Sequence, residues 1–185
     1  MTNAAFNELM ARLEEDEAKS RPYRAQRLKL LLDEYGPGGI RLFYGGPVSH
    51  WAFEECRLAY LHGLFLSSIL AAQVCLEHML AGLFRMAGRD DLEGAGFGLL
   101  LKTALSESFI SEAEFGLFDG LRKVRNPYAH YRAPTSKTSP LRRAIATDRA
   151  PDDLLVEDAR SAVVALLRLC KRHPFCLPAS DERNG

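Results

Sequence analysis

The sequence predicts an all-α bundle of four to five helices that carries an N-terminal helical extension. Two observations predict it. Apolar residues recur at helical spacing along most of the chain, and no segment shows the alternation typical of strands. Of the 185 residues, 47% are hydrophobic, which is ample for a core. We expect residues 1–50 to form a helical arm with a Gly/Pro-rich loop, residues 51–173 to form the bundle, and residues 174–185 to be a frayed tail.

The N-terminal arm is predicted from an apolar set at i, i+3, i+4 and i+7, namely Phe6, Leu9, Met10 and Leu13. Pro22 is expected to interrupt this helix, and a second helical run, RAQRLKLLLDEY, follows it. The stretch GPGGIRLFYGGP at residues 36–47 carries five glycines and two prolines, which predicts a loop. It lacks the patterns of phosphate-binding loops, so we interpret it as a linker.

The next segment predicts one long helix over residues 52–87 that ends at Gly88. Its stretch at residues 58–84 is very apolar, and a bilayer span needs about 20 such residues with few charges. His62, Gln73, Glu77 and His78 interrupt it. We therefore interpret it as a core helix and expect no membrane association.

Three further helices are predicted after Gly88. A short helix is expected around residues 97–108, and the next begins at a capping box formed by Ser111 and Glu114. A polar loop is expected over residues 133–151. The last helix should begin near Asp152 or Asp153, where acids suit a helix N-terminus. Its apolar set is Leu155, Ala159, Ala162, Val163, Leu166 and Leu169.

Composition narrows the classes of function. Lys plus Arg and Asp plus Glu both number 24, so a nucleic-acid surface would have to be local. The four cysteines (Cys56, Cys75, Cys170 and Cys176) form no CxxC pair, and the first residues are acidic and amphipathic rather than signal-like. We expect a cytoplasmic protein with reduced thiols, no cofactor and no metal, since no metal-ligand set such as HExxH occurs.

The stretch KVRNPYAHYR, residues 123–132, combines an arginine, a proline and a histidine at the end of a helix. We predict that the helix ends near Arg125, that Asn126 caps a new turn, and that Pro127 is its first residue. Five residues apart on one straight helix, Arg125 and His130 would diverge by about 140°. The predicted break would let both face one cleft.

Arg125 and His130 together offer the chemistry of metal-free RNA cleavage. Arginine presents a permanently charged fork to phosphate oxygens, and histidine exchanges a proton near neutral pH. The 2′-hydroxyl would attack the neighbouring phosphorus while one group removes its proton, another protonates the leaving 5′-oxygen, and arginine stabilises the phosphorane. Because one chain supplies one such histidine, the mechanism predicts a symmetric homodimer.

A local basic bias surrounds this stretch. Residues 122–149 hold eight Lys or Arg and one acid, Asp148. Such a segment is suited to follow a phosphate backbone, and tyrosines within it are suited to stack on bases. The alternative is a solvated loop with scattered charge. The candidate RNA-binding residues are Arg122, Lys123, Tyr128, Tyr131, Arg132, Arg142 and Arg143.

These residues resemble the HEPN domain superfamily, whose motif places four to six residues between an arginine and a histidine, as Arg125-Asn126-x-x-x-His130 does here. The helix AYLHGLFLSSILAAQVCLEHMLAGLF and the segment GFGLLLKTALSESFISEAEFGLFDGLRKVRNPYAHYR are similar to it as well. The resemblance covers residues 52–172 and implies a dimeric α-helical bundle, often a metal-independent ribonuclease of toxin–antitoxin, phage-defence or RNA-processing systems. It implies that Arg125 and His130 are catalytic and that Asn126 orients them.

The resemblance also bears on partners and on alternatives. Some toxin members carry a tyrosine two residues after the histidine, which a partner nucleotidyltransferase modifies. Here Tyr131 is adjacent to the histidine and Arg132 holds that place, a departure that weakens the case for such a partner, and both an antitoxin and a nucleotidyltransferase stay open as partners. Glu77 is a candidate to hold Arg125 through an ion pair, or else a surface acid. The alternative function is a non-catalytic HEPN-like module that binds a nucleotide, RNA or a protein.

Overall fold

The computed structural model describes residues 3–36 and 43–172, and these contain seven α-helices, one 3₁₀ turn and no strand. The all-α prediction is therefore confirmed. The predicted tail, Cys176 and part of the Gly/Pro-rich loop lie outside the described residues. The helices are α1 (Asn3–Tyr35), α2 (Gly46–His62), α3 (Phe65–Met86), α4 (Phe97–Ser106), α5 (Glu112–Ala129), α6 (Pro140–Thr147) and α7 (Pro151–Arg172), with the turn at Asp90–Leu92.

The helix α3 lies at the centre of the fold and packs against α2, α4, α5 and α7. Its face of Ile69, Ala72, Leu76 and Leu80 is fully buried. On α7, all but the first residue of the predicted apolar set are fully buried, as their helical spacing requires. By length and composition α3 is apolar enough to cross a bilayer, and half of its most apolar window is buried in the fold.

The prediction of one helix over residues 52–87 is wrong, because the chain turns at Gly63. Gly63 adopts a left-handed backbone with φ 79°, and its N–H donates to the Tyr60 carbonyl at 3.1 Å. The Leu64 N–H donates to the Ala59 carbonyl at 2.8 Å, which completes a Schellman motif. The two helices pack on each other as a hairpin, so each buries its own apolar face.

The prediction that Pro22 interrupts the first helix is also wrong. The helix α1 runs for 33 residues with Pro22 inside it. Proline removes one hydrogen bond and crowds the carbonyl four residues earlier, which costs roughly 3 kcal/mol in a helix interior. The turns on both sides of Pro22 nevertheless keep their own helical bonds.

The end of the Gly/Pro-rich loop is in close contact with α3. A Cβ added to Gly82 would lie 2.2 Å from the Gly45 backbone nitrogen. Gly45 itself has φ 89° and caps α2, and a Cβ there would lie 2.2 Å from the His78 carbonyl oxygen. Both positions therefore require glycine, since no side chain fits between the two backbones.

The starts of the later helices agree with the sequence in part. The predicted capping box is present: the Glu114 N–H donates to Ser111 Oγ, and the Ser111 N–H donates to the Glu114 carboxylate at 2.8 Å. The α7 helix begins within two residues of its predicted start. The predicted polar loop instead contains α6, which Ser139 caps by accepting the Arg142 N–H at 3.1 Å.

Three cysteines, Cys56, Cys75 and Cys170, are free and buried, which confirms the prediction for these three. Burial raises the pKa of Cys56 to about 12, so it stays a thiol at neutral pH. The Cys75 thiol donates to the Ser49 carbonyl at 3.2 Å. These thiols serve as small core side chains.

Candidate functional site

The predicted helix break at Asn126 and Pro127 is wrong. The α5 helix continues through both residues to Ala129, and His130 is its C-cap with extended backbone. The His130 N–H donates to the Asn126 carbonyl at 3.0 Å, so Asn126 contributes its backbone to the last turn rather than capping a new one. Pro127 is tolerated because it removes only one bond close to the helix end.

Arg125 lies on the side of α5 that faces the fold. Phe118, Leu121 and Arg125 follow each other at i, i+3 and i+7, and the first two are buried core residues. The Arg125 side chain is half-buried, and its Nε has no hydrogen-bond partner among the described residues. A buried guanidinium N–H without an acceptor is costly, so an acceptor for the Arg125 Nε would stabilise this side chain.

His130 occupies a different environment from Arg125. It is exposed at the point where α5 ends, with φ −129° and ψ 134°. In the described part of the chain, no hydrogen bond joins its imidazole to Arg125. A single protein chain therefore does not assemble the two side chains into a bonded pair.

Two of the predicted RNA-binding residues belong to an interior network on α7. Arg143 donates to both Asp158 oxygens, at 2.6 and 2.9 Å, and the Tyr128 hydroxyl donates to one of them at 2.9 Å. Asp158 is buried, and its hydrogen bonds raise the pKa of Arg143. Burial, followed by the nearby Asp158 charge, raises the pKa of Tyr128. Tyr128 thus joins α5 to α7 and Arg143 joins α6 to α7, which leaves both side chains poorly placed for RNA.

Two further predicted residues are held by one acid. Arg122 and Lys123 both form ion pairs with Asp119, each at 2.7 Å. Hydrogen bonds from Lys123 and then Arg122 lower the pKa of Asp119. Lys123 is still largely exposed, whereas the Arg122 side chain is more enclosed.

The remaining predicted RNA-binding residues are exposed and carry no ion pair among the described residues. They are Tyr131, Arg132 and Arg142. Tyr131 is 89% exposed, so its ring has both faces free. His130, Tyr131 and Arg132 begin the segment between α5 and α6, and Arg142 lies in the first turn of α6.

The predicted ion pair between Glu77 and Arg125 does not form among the described residues. Glu77 is half-buried on α3, a helix that packs against α5. The packing agrees with the expectation that α3 borders the motif helix, but the carboxylate does not hold the guanidinium. In the described chain, no group of three or more His, Cys, Asp or Glu is arranged to hold a metal.

Two features of this region were not predicted from the sequence pattern. The first is Asp158, whose signal was an acid on the buried stripe of α7, four residues before Ala162. The second is a cavity of about 760 Å³ between Gly45, Gly82 and the 3₁₀ turn, and its lining includes His78 and Arg85. No predicted site residue lines it. A smaller cavity of about 230 Å³ lies between α5 and α7 beside Asp158.

Comparison with protein-family models, curated proteins and solved structures finds no match to this chain.

Proposed function

We propose that this protein is a metal-independent endoribonuclease of the HEPN type, with an active site at the end of α5 that two copies of the chain share. The observation that carries the proposal is the half-buried Arg125, whose Nε lacks an acceptor. A phosphate oxygen is the acceptor that a guanidinium fork fits best. The resemblance of the arginine–histidine motif to HEPN domains supplies the reaction class.

The proposed reaction needs a base and an acid. The His130 imidazole of one copy removes the proton from the 2′-hydroxyl, which attacks the neighbouring phosphorus. The imidazolium of the other copy protonates the leaving 5′-oxygen, which gives a 2′,3′-cyclic phosphate and a free 5′-hydroxyl. Arg125 stabilises the negative charge that develops on the phosphorane. His130 is exposed at the helix end, so the imidazole is accessible to RNA and to a second copy of the chain.

The RNA strand would follow the exposed cations. Arg132 and Arg142 have no acidic partner among the described residues and are assigned to the phosphate backbone. Tyr131 is assigned to stack on a base. Arg143 and Tyr128 are left out of this surface because Asp158 engages both.

A non-catalytic binding module is the second candidate, and one observation favours it. A general base is normally oriented by a second side chain, and in the described chain no hydrogen bond orients the His130 imidazole. In that case Arg125 binds a phosphate group of a nucleotide or RNA, without cleavage.

The test is incubation of the purified protein with mixed RNA in EDTA, followed by analysis of the ends produced. We expect cleavage that leaves cyclic phosphates, a loss of at least about 100-fold with His130→Ala, and a similar loss with Arg125→Ala. The matched control is His62→Ala, because His62 is another exposed histidine at a helix end.

Equal cleavage by wild type and His130→Ala would overturn the assignment of the site. No cleavage by a folded dimer, combined with RNA binding that Arg125→Ala weakens, would select the binding module instead.

A further inference from the structure

The first half of α1 extends away from the fold. Every residue from 3 to 19 is exposed, whereas α1 residues Leu31 and Tyr35 are buried. At 1.5 Å per residue, these 17 residues span about 25 Å. We call residues 3–19 the protruding half.

The protruding half carries four large apolar side chains on one stripe. Phe6, Leu9, Met10 and Leu13 are 41–60% exposed. A row of apolar side chains of this kind indicates an interaction surface, since scattered single residues are common but contiguous patches are not. We call these four residues the apolar stripe.

The apolar stripe continues the face that α1 packs against the fold. Leu13 and Leu31 are 18 residues apart, which is five complete turns, so they point the same way. Phe6 and Leu9 lie within about 40° of that direction. Tyr35, also on this side, contacts Phe53 of α2 with ring centroids 5.3 Å apart. A partner that covers the stripe must therefore lie on the same side of α1 as the fold itself.

Along α1, between the apolar stripe and the part that packs on the fold, acidic residues come first and arginines follow. Residues 14–17 are all acidic, and the next turns carry Arg21 and Arg24. Glu15 pairs with Lys19 at 2.7 Å. Within the described residues, Glu14, Glu17, Arg21 and Arg24 form no ion pair, although Glu17 and Arg21 are four apart. Glu17 and Arg24 lie within about 40° of the stripe direction.

We propose that a second copy of this chain covers the apolar stripe, with the two α1 helices side by side and antiparallel. If the two-fold axis passes beside residue 19, positions whose numbers sum to 38 face each other. Glu14 then faces Arg24 of the other copy, and Glu17 faces Arg21. A parallel arrangement would instead place acid against acid and base against base.

The same register gives the stripe an apolar counterpart. Phe6 faces Leu32 of the other copy and Met10 faces Leu28, and these leucines are 47% and 42% exposed.

The charge pattern also disfavours an anionic membrane as the occupant. Membrane-surface helices carry Lys and Arg beside their apolar face. Here the charged residues nearest the stripe direction in the protruding half are the acids Asp16 and Glu17, within about 60° of it, and Arg12 is paired with Glu8 at 2.7 Å.

The first test is the molar mass of the full chain by light scattering across a range of concentrations. We expect a dimer for wild type and a monomer for the double variant Leu9→Glu, Leu13→Glu. The matched control, Leu58→Glu with Leu64→Glu, changes two leucines that are 54% and 60% exposed on the fold, and it should remain dimeric. A wild-type monomer at about 100 µM, or equal loss of the dimer in both double variants, would overturn the proposal.

The second test exchanges the charges of the facing residues between two variants. Only the antiparallel register predicts that the two variants restore the dimer when they are mixed. Glu14→Lys with Glu17→Lys gives one chain, and Arg21→Glu with Arg24→Glu gives another. Each alone should dimerise at least tenfold more weakly than wild type, because four facing pairs become like-charged. Mixed together they should form a one-to-one heterodimer of roughly wild-type affinity, which weakens in high salt. Failure of the mixture to dimerise would exclude this register.

These tests measure dimer formation and not RNA cleavage. The α1 dimer and the ribonuclease can therefore be refuted independently of each other. A dimer that depends on the stripe but leaves RNA intact would keep the α1 proposal and remove the ribonuclease. Cleavage by a chain that stays monomeric would overturn both the α1 dimer and the shared active site.

Discussion

The protruding half of α1 and the core helix α3 are both regular helices, but they differ in how much of their surface the rest of the chain covers. Ten of the 22 residues of α3 are buried, whereas no residue between 3 and 19 is. Both carry apolar side chains at helical spacing. The apolar side chains of α3 are covered by other helices of the same chain. The apolar side chains of the protruding half are exposed among the described residues. An apolar stripe thus predicts a helix in both places, but it identifies a core only in one.

Among substitutions in the covered region around α3, a change at the Gly45–Gly82 contact should lower the free energy of unfolding the most. Gly82→Ala places a Cβ against the Gly45 backbone and should cost about 3 kcal/mol or more of unfolding free energy. Gly116→Ala on α5 is the matched control, since a Cβ there meets nothing within 4 Å. It should stabilise by about 0.5–1 kcal/mol. Urea unfolding measures both, and equal effects would show that the close contact is absent.

Truncation of one leucine on each helix compares the two regions directly. Leu76→Ala on α3 removes a fully buried side chain and should cost about 3 kcal/mol. Leu13→Ala on α1 should change the unfolding free energy by less than about 0.5 kcal/mol when the protein is too dilute to dimerise. Thermal unfolding at low concentration gives both values. A large effect of Leu13→Ala there would mean that its own chain covers the stripe.

The Asp158 network should show an intermediate effect, because it is a polar part of the covered region. Asp158→Asn keeps the shape but removes the charge that Arg143 and Tyr128 contact, and should cost about 2 kcal/mol. Chemical unfolding measures the loss. If Asp158→Asn leaves stability unchanged while it weakens RNA binding, the network serves the ligand rather than the fold.

The smallest expected effect is the contribution of Tyr128 to the pH dependence of the unfolding free energy. Because the pKa of Tyr128 is raised in the fold, its contribution to stability is present below the unfolded pKa of about 10 and is lost as pH rises through the folded value. Tyr128→Phe should cost about 1 kcal/mol at pH 8, and its stability should fall less steeply than that of wild type above pH 10. Parallel curves of unfolding free energy against pH would contradict this.

The sequence predicted local features that local physics decides. The capping box at Ser111 and Glu114 was recognised because its two hydrogen bonds need only four residues. The burial of Ala162, Val163, Leu166 and Leu169 followed from their spacing. The α6 helix was missed although Ser139 and Pro140 are a favoured N-cap and first helical residue.

The errors concerned helix ends where packing competes with propensity. Both prolines, Pro22 and Pro127, were expected to break helices, and both lie inside one. Phe118, Leu121 and Tyr128 hold α5 against the fold on both sides of Arg125, which compensates for the lost bond at Pro127. For the candidate site the sequence supplied Arg125 and His130. It did not predict that Arg125 is half-buried while His130 is exposed, or that Arg143 is bound to Asp158.

By itself the sequence determined that this chain is helical, where most of its helices lie, and which stripes are apolar, because these depend on residues within a few turns of each other. The tertiary structure decided that Gly63 turns the chain into a hairpin, since only packing of α2 on α3 makes the turn favourable. It also decided which cations are free. Arg143 and Arg132 are alike as side chains, and only the position of Asp158, fifteen residues beyond Arg143 and on another helix, withdraws the first from the surface and leaves the second exposed.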